Sequence, residues 1–479
     1  MRHLLLLLVL LLAPPVRAEG PPTLGKGDPT LVSAFSAALS DDALAGARAS
    51  VLVVRLSDGA PLYAYQADAR LHPASNTKLV TTAAALIELG PAHTWQTDLA
   101  VDALGRDGVA KTVYLVGGGD PHLMEADLWR LAQDARLRGL ERVDGDLVVD
   151  ESWFGPQHEA PGFGDKLQDS AYRAPTGATT LNWDAVTVRV LPGAVVGAAP
   201  RVILQPAGDY VDLVVTATTT RKGREQLAVA ATPHKGRTRI AVSGRIPLAH
   251  GGVVVRRRID DPALFAGHAA KALLASVGIK VKGRVVVGVA PAKRKRLGRH
   301  TSRSLAVAAA DVNKYSNNIM AEHLVRTLGK EKGGAGDWDA GRAVVNAFLE
   351  DRVGLRKGFV YRNGSGLFGD TAFSAADLVA VLRYVADLRP SMPEYEASLA
   401  IGGADGTLRK RMRKSPARSI RAKTGTLDGV IALSGYVTFA DGSRGAFSVL
   451  FNDVKARPWA VWKVHDRLVD AMTRFTPTR

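Results

Sequence analysis

The stretch "HPASNTKLVTTAAALIELGP", residues 72–91, places a serine three positions ahead of a lysine at the mouth of an alanine- and leucine-rich run. Pro73 marks a break and Gly90-Pro91 ends the run, so the pattern predicts a helix over 77–89 with Ser75 at its entrance. Residues three apart share a helix face, which brings Lys78 beside the serine hydroxyl. Taken alone, such a pair is usually a helix cap and a surface lysine. Just upstream, "ASVLVVRLSDGAPLYAYQAD" (49–68) predicts two strands around a Ser-Asp-Gly-Ala turn. The other end of the sequence repeats that character: "GVIALSGYVTF" (429–439), a turn "ADGS", "RGAFSVLFN" (444–452), then a helix in "PWAVWKVHDRLVDAMTRF" (458–475). One sheet drawn from both ends is expected, with the middle of the chain inserted through it.

That middle, from about Thr94 to Leu297, consists of short β-type runs punctuated by glycine and proline, such as "KTVYLVGGGD", "VDGDLVVD" and "DAVTVRVL". One helix interrupts them, "DPALFAGHAAKALLASVGI" (261–279). Helical texture returns in "SLAVAAADVNKYSNNIMAEHLVRTLG" (304–329), through 339–354, and in "SAADLVAVLRYVADL" (374–388).

Composition bounds the setting. The first residues, "MRHLLLLLVLLLAPPVRAEG", have a basic start, an apolar run and small residues suited to cleavage after Ala18, the pattern of an export signal. No later run approaches the apolar length needed to cross a bilayer, so no integral membrane segment is expected. The 479 residues carry a formal charge of +17, concentrated at 256–258, 293–300 and 409–414. Each cluster reads first as a solvated loop or helix face; the functional alternative for an exported protein is attraction to anionic wall or, peripherally, to membrane headgroups, with no nucleic-acid partner expected. Cysteine is absent, so disulfides and thiolate-bound zinc are excluded. A near-match to a phosphate loop at 20–27 lacks its Ser/Thr, there is no Gly-x-Ser-x-Gly elbow, and His158-Glu159 lacks a second histidine; no cofactor or metal is expected.

Two further stretches bear on Ser75. In "KYSNNIMAEHLVRTLG", Ser316 and Asn318 stand two apart near a predicted helix start, where a hydroxyl can relay a proton and an amide can hold a peptide group. In "RAKTGTLDGVIALSGYVT", Lys423, Thr424 and Gly425 lead into a strand: Gly425 permits close approach of a substrate backbone, and the cation and hydroxyl suit a terminal carboxylate. Lys423 would also help to strip the proton from Lys78, and a lysine must be destabilised by burial or a neighbouring cation to serve as a base.

Ser-x-x-Lys, Ser-x-Asn and Lys-Thr-Gly in this order form the set found in penicillin-binding proteins and class A β-lactamases. The interval of 241 positions from Ser75 to Ser316, followed by 107 to Lys423, is far longer at the first step than a class A β-lactamase allows. With "GGGDPHL" (117–123), "VDGDLVVDESWF" (143–154), "NGSGL" (363–367) and "GGADGTL" (402–408), the chain resembles the low-molecular-mass class C penicillin-binding proteins, serine-type D-alanyl-D-alanine carboxypeptidases with endopeptidase activity.

The resemblance implies an α+β multidomain protein: a penicillin-binding transpeptidase-like (β-lactamase-like) α/β/α domain with an antiparallel sheet over 19–93 and 298–479, an inserted domain II over 94–180 and 251–297, and an inserted domain III over 181–250. It implies Ser75 as the acylated nucleophile, Lys78 as its base, Ser316 as proton shuttle and Asn318 as amide binder. Lys423 and Thr424 would bind the carboxylate, with Gly425 alongside, and the N–H groups of Ser75 and Thr426 would form the oxyanion hole. Asp150 resembles an acid that faces a stem-peptide ammonium, with Trp153 beside it; an ordinary acid at a strand end is the competing reading. The chain departs from the family pattern at Asn363, Phe368 and Gly369. Implied partners are peptidoglycan stem peptides and β-lactams, in the periplasm or on the wall side of the membrane, with a homodimer left open. The competing functions are a wall-binding scaffold with a weak site, or a β-lactamase.

Overall fold

The computed structural model describes residues 25–166, 168–388, 392–416 and 418–477, so the export signal read at 1–18 lies outside the described residues. Helices follow in chain order: α1 (Pro29–Leu39), α2 (Thr77–Leu89), α3 (Glu125–Leu137), α4 (Pro262–Ser276), α5 (Leu305–Tyr315), α6 (Asn318–Lys332), α7 (Trp338–Ala347), α8 (Ala375–Asp387), α9 (Met392–Ser398) and α10 (Pro458–Arg474).

Both ends of the chain meet in one seven-stranded antiparallel sheet. Its order is 26–27, 61–65, 48–55, 444–452, 430–438, 420–427, 400–401. Strand Arg48–Arg55 pairs along its length with Arg444–Asn452, Val51 opposite Val449. Alternation along the strands sorts side chains into two cores. Val51, Val53, Phe447, Val449 and Phe451 pack toward α1 and α10 with Phe35, Val461 and Leu468. Val54, Ala446 and Leu450 pack on the other face with α2, α5, α6 and α8. The result is an α/β/α layering in which α2 runs through the middle of a core, every residue from Thr77 to Leu86 buried. A lysine at the second position of that helix is therefore taken out of water.

The single helical stretch expected over 304–329 is two helices. Ser316 adopts φ +59° between α5 and α6, and Asn317 caps α6 by accepting from the Met320 N–H. Ser316 thus sits on a left-handed hinge two residues before α6, at the helix start expected there.

The inserted region holds a second helix that hydrophobic texture missed, α3, because its buried stripe is only Leu128, Leu131, Ala132 and Ala135 among charged neighbours. A five-stranded sheet (order 285–287, 147–150, 113–116, 96–101, 295–301) and a three-stranded one pack with α3 and α4. Strands 201–205, 185–191 and 253–258 form another sheet, and 211–215, 237–247, 218–220 and 226–234 a fourth. Two of the expected domain edges fall inside this pairing. Val253–Arg258 pairs with Ala185–Leu191, and Lys295–Thr301 with Gln96–Val101. We propose edges near 258 and 301 in place of 250 and 297. The two inserted units also share one continuous apolar cluster, from Leu99 and Val149 to Val188 and Ile240.

Candidate active site

A 3-10 turn, Ala74–Asn76, precedes α2 and carries Ser75. It lies against strand Ile420–Leu427, and the glycine at 425 is what allows this: a Cβ there would stand 2.8 Å from the Pro73 carbonyl oxygen and 3.1 Å from the Ala74 Cβ. Asn76 anchors the turn from below, its Nδ2 donating to Ser434 Oγ at 2.7 Å.

Lys78 is fully buried and its Nζ makes three contacts: Ser75 Oγ at 2.8 Å, Asn318 Oδ1 at 2.7 Å and the Ser365 carbonyl at 2.8 Å. Burial first, and the charge of Lys423 second, push its pKa well below the ordinary lysine range, against a smaller opposing pull from Glu322. A neutral amine has two N–H donors and one lone pair. Two donors meet the Asn318 and Ser365 oxygens, which leaves the lone pair facing the Ser75 hydroxyl. The geometry is that of a base beside its nucleophile.

Lys423, also buried, reaches Ser316 Oγ at 3.0 Å and the Thr424 carbonyl at 2.6 Å. Burial brings its pKa down to about 7. Thr424 Oγ1 donates to Thr407 Oγ1 at 2.9 Å. Asn318 holds Lys78 through its oxygen and spends one N–H on the Tyr172 carbonyl at 2.8 Å, so a single N–H remains for a ligand.

Asp150 is not brought to this centre. It closes the strand Leu147–Asp150, 4 % exposed, with its two carboxylate oxygens accepting from the Ser152 and Ala290 N–H groups at 2.9 Å each. It is a strand-end turn acid, and neither it nor Trp153 lines either of the two cavities that meet at Ser316.

Several participants were invisible to sequence reading. Glu322, one turn beyond Asn318 and fully buried, accepts from Trp338 Nε1 and from the backbone N–H groups of Gly364 and Ser365, so it fixes the loop whose carbonyl holds Lys78. Asn363 shapes the same loop: its Nδ2 donates to the Pro161 and Leu367 carbonyls while its oxygen accepts from the Gly366 N–H. An aspartate could not supply those two donations, which accounts for asparagine at this departure from the family pattern.

Two cavities meet at Ser316. One, about 1080 Å³, runs along Asn318, Tyr172, Trp183, Arg256 and Asp311, between the inserted region and α5. The other, about 460 Å³, contains Ser75, Thr424 and Thr426 and continues past Thr407 to Arg409 and Trp462. Among the described residues no cluster of three or more His, Asp or Glu side chains is arranged to hold a metal ion.

An antiparallel sheet flanked by helices, a serine paired with a buried lysine and a second buried lysine across the cleft define a penicillin-binding serine hydrolase. The fold has solved counterparts: penicillin binding protein 4 of Haemophilus influenzae superposes with a TM-score of 0.79 over 91% of this chain and 97% of that one, at 21% identity. The chain belongs to the D-Ala-D-Ala carboxypeptidase 3 (S13) family of serine peptidases, whose model matches residues 31–471. It is 37% identical over 434 residues to the D-alanyl-D-alanine carboxypeptidase of Actinomadura sp. (strain R39), covering 87% of this chain and 80% of that one. The DacB carboxypeptidase of Haemophilus influenzae is 24% identical over 392 residues, covering 79% and 80%.

Proposed function

We propose that the protein is an exported D-Ala-D-Ala carboxypeptidase that acts on peptidoglycan stem peptides through an ester on Ser75, cleaves peptide cross-links as well, and is acylated by penicillin. The observation that carries this is the 2.8 Å contact between Ser75 Oγ and a fully buried Lys78 amine.

Neutral Lys78 takes the Ser75 proton as Oγ attacks the carbonyl of the penultimate residue. The oxyanion that develops is met by the N–H groups of Ser75 and Thr426. The proton then passes by way of Ser316 to the departing nitrogen, the C–N bond breaks, and a free amine leaves the Ser75 ester behind. Water, deprotonated by the same lysine, hydrolyses the ester. Lys423 and Thr424 hold the substrate's terminal carboxylate, and the free N–H of Asn318 holds its amide. A β-lactam presents a strained amide and a carboxylate in the same relation, and penicillin binding protein 4 of Haemophilus influenzae has been solved with a β-lactam bound, which supports this reading. Export is supported by the leader pattern of residues 1–18.

Fluorescent penicillin should label the protein covalently, Ser75→Ala should take no label, and Lys78→Ala should release no D-alanine from a pentapeptide ending in D-Ala-D-Ala. Near-normal turnover in Lys78→Ala would remove the assigned base. Adherence to purified sacculi without any covalent label would favour the scaffold.

A further inference from the structure

The second cavity is built from the catalytic module alone. Because it contains Thr424 and Thr426, it is the side from which the leaving group departs, on the reading proposed above. Its outer wall is the loop that follows "GGADGTL", and that loop is anchored on both sides. Lys314 bonds Asp405 at 2.6 Å, and Gly406, at φ +53°, lies so close to the Lys314 carbonyl that a Cβ would stand 2.6 Å from its oxygen. Arg411 is pinned to Asp466 at 2.7 Å and to the Trp462 carbonyl at 3.2 Å on α10. Between these anchors Arg409 and Lys410 are exposed and line the cavity, and among the described residues neither has an ion-pair partner. No aspartate or glutamate lines the cavity.

A departing D-alanine brings one carboxylate, which Lys423 and Thr424 can satisfy. Two further uncompensated cations exceed what that product needs. We infer that Arg409 and Lys410 select leaving amines that carry additional carboxylates, as the amine-side strand of a peptide cross-link does, and so favour cleavage of cross-links over trimming of single stems. The chemistry is unchanged: the amide C–N bond breaks, the Ser75 ester forms, the Ser75 proton ends on the departing nitrogen, and water later restores the serine. Only the charge carried by the departing amine differs.

The test compares wild type with the Arg409→Gln/Lys410→Gln double variant on three substrates: a cross-linked muropeptide dimer, the same dimer amidated at the remote carboxylates of its amine-side strand, and a pentapeptide ending in D-Ala-D-Ala. Two exposed charge contacts at the wall of a cleft predict a fall of up to about tenfold in kcat/KM on the dimer, carried by KM. Wild type should lose the same factor when the dimer is amidated, and that loss should shrink in high salt. Pentapeptide turnover and fluorescent-penicillin labelling should not change. An equal loss on dimer and pentapeptide, no loss on the dimer, or a wild type that labels with penicillin yet leaves the dimer uncut would each overturn the inference. Absence of labelling and of D-alanine release in wild type would instead strike the catalytic reading beneath it.

Discussion

A lysine in water keeps its proton to about pH 10.4, so a lysine base at neutral pH exists only where its surroundings remove that proton. Lys78 meets the condition through burial and through Lys423, and the same burial weakens the hold of Lys423 on its own proton. The two amines need opposite states: Lys78 neutral to accept from Ser75, Lys423 charged to meet a carboxylate. As pH rises, activity should therefore climb through the lowered pKa of Lys78. It should then fall as Lys423, at about 7 in the empty site, gives up its charge. The profile of kcat/KM, which reports the free enzyme, should be a bell whose alkaline limb lies well below pH 10. A substrate amidated at its terminal carboxylate has no use for the Lys423 charge, and its alkaline limb should vanish. An alkaline limb identical for both substrates would show that Lys423 does not serve the carboxylate.

The catalytic elements are held together by contacts at backbone distance, and Gly425 makes one of them. Gly425→Val would force the strand Ile420–Leu427 away from the turn bearing Ser75, since even a Cβ collides with the Pro73 carbonyl. Overpacking of this kind costs about 1–3 kcal/mol, so penicillin acylation should slow about tenfold or more while far-ultraviolet circular dichroism stays unchanged. An unaltered acylation rate would mean that the strand is free to shift. Such short-range features explain what could be read in advance. Ser75 with Lys78, and Lys423 with Thr424 and Gly425, are each contiguous and sit in elements whose apolar pattern is plain. The hinge at Ser316 was lost because its flanking helices share one apolar texture. Glu322 was lost because its partners, Gly364 and Ser365, lie far along the chain. Asp150 stayed open between two readings because a strand-end acid looks the same whether it faces a ligand or the Ala290 N–H.

At the scale of the molecule, Arg326 fastens the inserted region to the catalytic module. Fully buried in α6, it donates to the carbonyls of Gly155 and Thr176 in the insertion and of Gly336 in the module, and its guanidinium lies between the rings of Phe154 and Trp338 at 4.3 and 4.5 Å. Arg326→Leu leaves three buried carbonyls without these donors, a loss of about 3–5 kcal/mol. Tyr172, which positions Asn318, lies in the same inserted segment, so urea unfolding should move to lower concentration and penicillin acylation should weaken together. Loss of stability with acylation intact would uncouple the insertion from the site. The position of strand Arg444–Asn452 between Arg48–Arg55 and Val430–Thr438 bears on biogenesis. A ribosome delivers the nucleophile hundreds of residues before it delivers the strand that completes the platform beneath it. Until then the strand Arg48–Arg55 presents a bare β-edge, a template for pairing with other chains.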